Sequence, residues 1–213
     1  MLTVHHLGIS QSDRIVWLCE ELEIPYELVR YDRDPVTRLA PAEYKAIHPF
    51  GTAPVITDGD LVLGESGAII EYIIARHGGG RLAVTPDQAN YPDYLFWFHF
   101  ANASMMPAGM TGLILNMLGG GSDSTVAKSL TARGDRAFAM VEHRLGEAAY
   151  FAGDAFTAAD IIMLFPLTTM RLFAPRDISP YPNLLAYLQR IGARPAYQRA
   201  MHKADPDLPP QLT

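Results

Sequence analysis

HPFGTAPVITDGDLVLGESGAIIEY, His48 to Tyr72, is the stretch from which the fold is read. Two short apolar runs, Val55 to Thr57 and Leu61 to Leu63, flank Asp58-Gly59, and Asp-Gly between such runs is the strongest local signal for a type I′ β-hairpin. After Leu63 the chain turns at Gly64. Ser66 then opens a run with Ile69, Ile70, Ile73 and Ile74 at helical spacing, closed by Gly78 to Gly80. Pro54 has no N–H to give a central strand, so it marks the mouth of the hairpin, a tight position that suits a cis proline and leaves the backbone of Ala53 exposed.

The chemistry of this stretch suits an anionic, peptide-like ligand. Ser66 stands at a helix N-terminus, where unpaired N–H groups and the positive end of the dipole attract a carboxylate, and Glu65 beside it accepts bonds from an amino group. The spacing serves equally well for a plain cap at Ser66 and a solvated turn residue at Glu65.

Working outward, residues 2 to 7 read as a strand, Asp13 to Leu22 as a helix with Ile15, Leu18, Cys19 and Leu22 on one face, and Tyr26 to Tyr31 as a second strand. A polar, Pro-containing connection from Arg33 to Ala46 becomes helical towards Glu43 to Ile47. The order is β-α-β-α-β-β-α. Gly78 to Asn90 is rich in Gly and Pro and forms the expected boundary between a domain at 1–80 and a helical domain at 90–213. Helices are expected at about 91–118, 124–148, 158–173, 182–193 and 195–203. Thr157 and Asp160 make a capping box, with Phe156 placed to staple onto Ile161, a folding signal rather than a catalytic one.

At 213 residues, with 49% apolar and 19% charged side chains, the chain has the composition of a globular protein, and no repeat or low-complexity segment interrupts it. A net charge of −6 without a run of Lys or Arg argues against a nucleic-acid or acidic-membrane partner and for a small ligand. One cysteine, Cys19, excludes an intramolecular disulfide framework, and MLTVHHLG lacks the pattern of a leader peptide, so a cytoplasmic location is expected. Tyr94 to Ser122 carries no Lys, Arg, Asp or Glu, but His99, Asn102, Pro107 and Asn116 interrupt it, and it reads as a buried, two-faced helix rather than a membrane span. His5, His6, His48, His77 and His99 show no metal-ligand spacing, and no metal is expected.

Pro49-Phe50-Gly51-Thr52-Ala53-Pro54, the hairpin, and Glu65-Ser66 opening a helix together resemble the glutathione site of the glutathione transferase family. Gly153 to Asp160 is similar to a signature of the family's second domain, and Tyr94 to Pro107 to the first long helix of a yeast and bacterial branch. The resemblance implies a thioredoxin-like α/β N-terminal domain followed by an all-α domain. It further implies glutathione as co-substrate, held by Thr52, Ala53, Pro54, Glu65 and Ser66, and a homodimer. An electrophile pocket is implied with Met105, Met106 and Phe165 as candidate lining, although a Met and aromatic stripe at helical spacing is also what plain core looks like.

A thiol is a weak nucleophile while protonated, so an enzyme using glutathione must favour the thiolate. Ser10 and Ser12 lie between the first strand and the first helix, where a hydroxyl and the helix dipole both stabilise an anion; as local sequence they are also simple caps. The resemblance favours Ser10, four residues before Arg14 as in the serine-type enzymes, with Ser12 second. His5 and His6 read as structural residues of the strand, and Cys19 as a small buried hydrophobe. Leu39 and Ala40 stand where plant-type serine enzymes carry His-Lys for the glycine carboxylate, leaving Arg38 or Lys45 as substitutes. Conjugation of the thiolate to an apolar electrophile is the expected reaction. A glutathione-dependent disulfide or peroxide reduction, or a non-catalytic ligand-carrier or docking module, are the alternatives.

Overall fold

The computed structural model describes residues 1–117 and 124–213. The first half runs β1 (Leu2–Leu7), α1 (Asp13–Leu22), β2 (Glu27–Tyr31), α2 (Ala42–Lys45), β3 (Val55–Asp58), β4 (Leu61–Gly64) and α3 (Ser66–Arg76). The strands form a mixed sheet in the order β2-β1-β3-β4, with β1 parallel to β2 and antiparallel to β3, the thioredoxin-like arrangement. Val4, Ile15, Leu18, Ile56, Ile69 and Ile73 are fully buried, so the apolar positions that set the helical and strand periodicities are those that form the core.

The hairpin stands one residue further along than its sequence signal. Asp58 pairs with Leu61, which leaves Gly59-Asp60 as the two-residue loop. Only Gly59 of the two has positive φ, at 60°, the pattern of a type II′ turn rather than the expected type I′.

The chain divides into two compact units. One comprises Met1–Ala83 together with Ala193–Pro210, so the last helix packs with the N-terminal segment instead of remaining with the helical part expected at 90–213. That helix, α9 (Pro195–Ala204), is held to α1 by apolar and ionic contacts. Trp17, fully buried, meets the Tyr197 ring edge-on at 5.3 Å. Arg194 grips Glu21 through two 2.7 Å bonds, and Glu20 takes Arg199 at 3.1 Å, Lys203, and the Tyr26 hydroxyl at 2.7 Å. Burial pushes the Glu20 carboxyl up, but the bonds from Lys203, Tyr26 and Arg199 outweigh it and leave it below its ordinary value.

The second unit, Val84–Gly192 with Gln211–Thr213, is helical. It contains α4 (Tyr91–Phe100), a π-helical segment (Ala101–Met105), α5 (Met106–Met117), α6 (Thr125–Glu147), α7 (Ala158–Leu167), a short 3₁₀ turn (Thr169–Leu172) and α8 (Pro182–Gly192). The single helix expected at 91–118 is thus interrupted. Pro107 has no N–H and its ring crowds the carbonyl one turn back, and the ladder widens immediately before it. The expected end of this helix, at Leu118, and the run from Gly119 to Ser122 lie outside the described residues. Tyr94, Trp97 and Phe98 are buried, whereas Phe96, Met110, Ile114 and Met117 are exposed, so the uncharged segment presents one face to the core and another to solvent. Pro166 has the same effect in α7: Thr168 turns its hydroxyl to the Leu164 carbonyl at 2.9 Å and the α-helix stops there.

The capping box forms around a fully buried Asp160. Its carboxylate accepts from the Thr157 N–H at 2.9 Å, the Phe151 N–H at 3.0 Å and the Tyr187 hydroxyl at 3.2 Å. Phe156 stacks edge-on with Tyr150 at 5.7 Å. Replacing Asp160 with Ala strands three buried donors and is expected to lower the unfolding free energy by about 3 kcal/mol, against about 1 kcal/mol for Thr157→Ala, measured by urea denaturation.

Burial lifts the Asp160 carboxyl from 3.8 to about 6, against the pull of its hydrogen bonds. The folded state therefore holds this proton more tightly than the unfolded chain, and the associated stability is present at low pH and lost as pH rises through about 6. The melting temperature of the wild type should contain a component that falls between about pH 4 and 6, and the Asp160→Asn variant should lack it.

Candidate functional site

The sheet register brings the candidate residues to one end. His5 of β1 pairs with Val55 at the start of β3, which pairs with Gly64 at the end of β4; Leu7, at the end of β1, pairs with Tyr31 at the end of β2. The 8–12 loop, the 32–41 loop, the segment ending in Ala53-Pro54 and the Glu65-Ser66 step all leave or reach the sheet at that end. The Ala53-Pro54 peptide is cis. Ala53 packs on a cluster of Leu7, Tyr44 and Val55, and Thr52 beside it is exposed.

Glu65 occupies the cap position of α3 at φ 68° and ψ 119°, and its side chain makes no capping bond. A side chain at such a φ is strained by roughly 1–3 kcal/mol, and strain of this kind concentrates at ligand sites. The first turn of α3, opening with the buried Ser66, is thus a helix N-terminus with no side-chain cap and an exposed carboxylate beside it. Gly64 lies against the His48 ring, which a Cβ here would meet at 3.4 Å, an ordinary van der Waals contact.

Ser10 and Ser12 face the sheet instead of capping α1. Ser12 holds the cap position without a capping bond; its hydroxyl accepts from the Leu7 N–H at 3.2 Å and lies 2.8 Å from His6 Nδ1. Ser10 Oγ donates to the Leu7 carbonyl at 2.6 Å and lies 2.7 Å from Ser12 Oγ. Ser12 is wholly buried and Ser10 is 5% exposed. His6, also wholly buried, puts Nε2 3.2 Å from Asp205 Oδ2 in a contact bent from ideal hydrogen-bond geometry, and Asp205 Oδ1 accepts the Ile9 N–H at 3.1 Å. Ile9 itself has φ 53°, strained for a β-branched residue.

Two arginines hold this loop from either side. Arg33 donates to the carbonyls of Gly8 at 2.7 Å, Ile9 at 3.0 Å and Arg38 at 3.0 Å. Arg14, fully buried, bonds to the Gln11 side chain, and burial lowers its guanidinium to about 10, only partly offset by Asp13. Ile9, Arg30, Arg33, Arg38, Asp205 and Asp207 are among the residues lining a cavity of about 280 Å³ at this end of the first unit. Lys45 lies against Gly51, and Leu39 is exposed.

Known proteins match this chain along most of its length. Residues 10–76 match the family model for the glutathione S-transferase N-terminal domain, and 97–195 that for the C-terminal domain. Glutathione S-transferase 3 of Schizosaccharomyces pombe is 33% identical over 96% of this chain and 88% of its own length. The chain belongs to the glutathione S-transferase family. Glutathione S-transferase 3 of Zea mays is 30% identical over 88% of this chain and 87% of its own length. The crystal structure of a glutathione S-transferase from Actinobacillus pleuropneumoniae superposes with a TM-score of 0.88 at 35% identity, covering 100% of this chain and 99% of the other.

In this transferase the candidates from the two halves of the sequence meet different surroundings. Met106 and Phe165 join Met170 in one apolar cluster of the second unit, packed as core side chains. Met105 is buried and lines a cavity of about 110 Å³ with Phe138, Pro166 and Met170. Cys19 is buried, and its thiol is raised far above its usual range by burial and by Glu20, which keeps it protonated. Among the described residues no group of three His, Cys, Asp or Glu is placed to hold a metal ion, and no helix is long and apolar enough to cross a membrane.

The sequence reading missed Asp205 and Ile9 and gave His6 no part in the site. Nothing local marks Asp205, since its bond to Ile9 spans 196 residues. Two outcomes test the loop and the strain. Arg33→Met should lower the unfolding free energy by about 2 kcal/mol in urea melts, because three carbonyls lose a charged donor. Glu65→Gly should raise it by up to about 1 kcal/mol by relieving the positive φ, while glutathione affinity measured by calorimetry falls.

Proposed function

We propose that this transferase conjugates the glutathione thiolate to an apolar electrophile, with Ser10 donating the hydrogen bond that stabilises sulfur. The observation that carries the reading is the convergence, at one end of the sheet, of a strained Glu65, an α3 N-terminus without a side-chain cap, the backbone of Ala53 before Pro54, and the Ser10 loop. The helix dipole and first-turn N–H groups suit the α-carboxylate of the γ-glutamyl group, and Glu65 suits its ammonium. Thr52, Ala53 and Pro54 would orient the cysteinyl part through main-chain bonds. Arg38 and Lys45 are the nearby cations for the glycine carboxylate. Met105, Met106 and Phe165 are the apolar side chains we assign to the electrophile side, and the rate gain would come from thiolate stabilisation and orientation.

Ser10 fits the donor role better than Ser12. Ser12 is fully buried and bonded on several sides, whereas Ser10 keeps some exposure and needs only a rotation of its hydroxyl away from the Leu7 carbonyl. We further read the protein as a cytosolic homodimer. Phe96 is 47% and Met140 43% exposed, and both line an open cavity of about 570 Å³ on α4 and α6, apolar surface that a second copy would cover.

Calorimetric titration with glutathione and with an S-alkyl glutathione tests the site. Binding of both, with the S-alkyl form tighter, is the expected result, and binding of neither would remove the glutathione reading. Ser10→Ala should lower turnover at least tenfold, about 1.4 kcal/mol in the barrier, with glutathione affinity largely kept. Unchanged turnover would take Ser10 out of its role.

A further inference from the structure

The 8–12 loop carries a chain of polar groups longer than thiol stabilisation by one hydroxyl requires. It runs from Ser10 Oγ to Ser12 Oγ (2.7 Å), to His6 Nδ1 (2.8 Å), and from His6 Nε2 to Asp205 Oδ2 (3.2 Å). Ser10, Ser12 and His6 are buried, and Asp205 is brought to them by the segment following α9. Each hydroxyl has one proton and two lone pairs, so the direction of the chain is set at its end.

Asp205 is that end. Burial alone would raise its carboxyl, but the neighbouring His6, the Ile9 N–H and the charge of Arg30 hold it below its ordinary value, so at neutral pH it accepts hydrogen bonds and donates none. A neutral His6 then presents Nε2–H towards Asp205 across the bent 3.2 Å contact, which leaves Nδ1 as an acceptor. Ser12 gives its proton to Nδ1 and accepts from the Leu7 N–H. Ser10 receives only the Ser12 N–H, at 3.3 Å, and its own proton moves freely between the Leu7 carbonyl, Ser12 Oγ and a ligand.

The reversed chain behaves differently. With Nδ1–H donating to Ser12, the Ser12 proton turns to Ser10 Oγ at 2.7 Å, nearer than the Leu7 carbonyl at 3.4 Å. Ser10 Oγ then accepts from both the amide and the hydroxyl of Ser12, and its remaining bonding direction is the one to the Leu7 carbonyl. Its proton is locked inside the protein.

We propose that His6 and Asp205 are positioning residues that fix the direction of this hydroxyl chain and so keep the Ser10 proton free for the glutathione sulfur. The proposal rests on the Ser10 reading above. Asp205→Asn tests it, because the amide oxygen still accepts the Ile9 N–H while the amide nitrogen must donate to His6 Nε2, which reverses the chain with little change in shape. In the wild type, ¹⁵N NMR of the His6 ring should show a proton on Nε2 and none on Nδ1, and in Asp205→Asn the reverse. The pKa of bound glutathione, followed by the ultraviolet absorbance of the thiolate, should rise by about one unit, a tenfold loss of thiolate. Affinity for S-methyl glutathione, which has no thiol, should stay within about twofold.

A wild-type His6 protonated on Nδ1, a ring unchanged by Asp205→Asn, or a reversed ring with an unshifted thiol pKa would each overturn the proposal. Ser10→Ala separates the two levels: if it also leaves the thiol pKa unchanged, the Ser10 reading has failed, and if it alone raises the pKa, only the role of His6 and Asp205 has.

Discussion

The pairing of β1 with β3 is the constraint on which the site depends. Because β3 runs antiparallel to β1 with His5 opposite Val55, the start of β3 and the end of β1 share one end of the sheet, and the short hairpin returns Gly64 to the same place. A slip of one residue would turn Val55 and Ile56 from one face to the other and move Pro54 relative to the Ser10 loop, so burial of the apolar face also fixes where the backbone proposed to meet glutathione lies. Fold stability and site geometry are here set by the same residues.

Against that ordered sheet the loops store strain. Ile9 and Glu65 both have positive φ without being glycine, and each lies next to a group expected to meet the thiol or the γ-glutamyl end. Strained backbone persists only where its surroundings over-determine it. Arg33 across three carbonyls, Arg14 on Gln11 and Asp205 on Ile9 are those surroundings for the first loop. Three charged side chains of the N-terminal unit therefore serve to hold one turn of chain.

The parts of the structure legible in the sequence were those with local causes. Gly, Pro and apolar spacing bracketed the strands and helices of the first half, and the capping box at Thr157 and Asp160 formed as its spacing predicts. The hairpin loop fell one residue late because strand pairing, carried by Asp58 and Leu61, overrode the Asp-Gly signal. The π-helical segment and the break in α7 were foreshadowed only by Pro107 and Pro166, and a proline marks a disturbance without saying which kind. Ser10 and Ser12 have the spacing of caps, yet their hydroxyls face β1, a choice set by a histidine on the strand. The docking of α9 on α1 and the bond from Asp205 to Ile9 depend on contacts nearly the whole chain apart, which no window of sequence contains.

That distance has a consequence for how the protein is made. The ribosome releases the N-terminal strands and α1 long before residues 193–210, so Trp17, Glu20 and Glu21 wait through the synthesis of the entire helical unit for their partners on α9. A domain that usually folds first during translation is here unable to finish until the helical unit has been synthesised. Until then the face of α1 that carries Trp17 stays without its native cover.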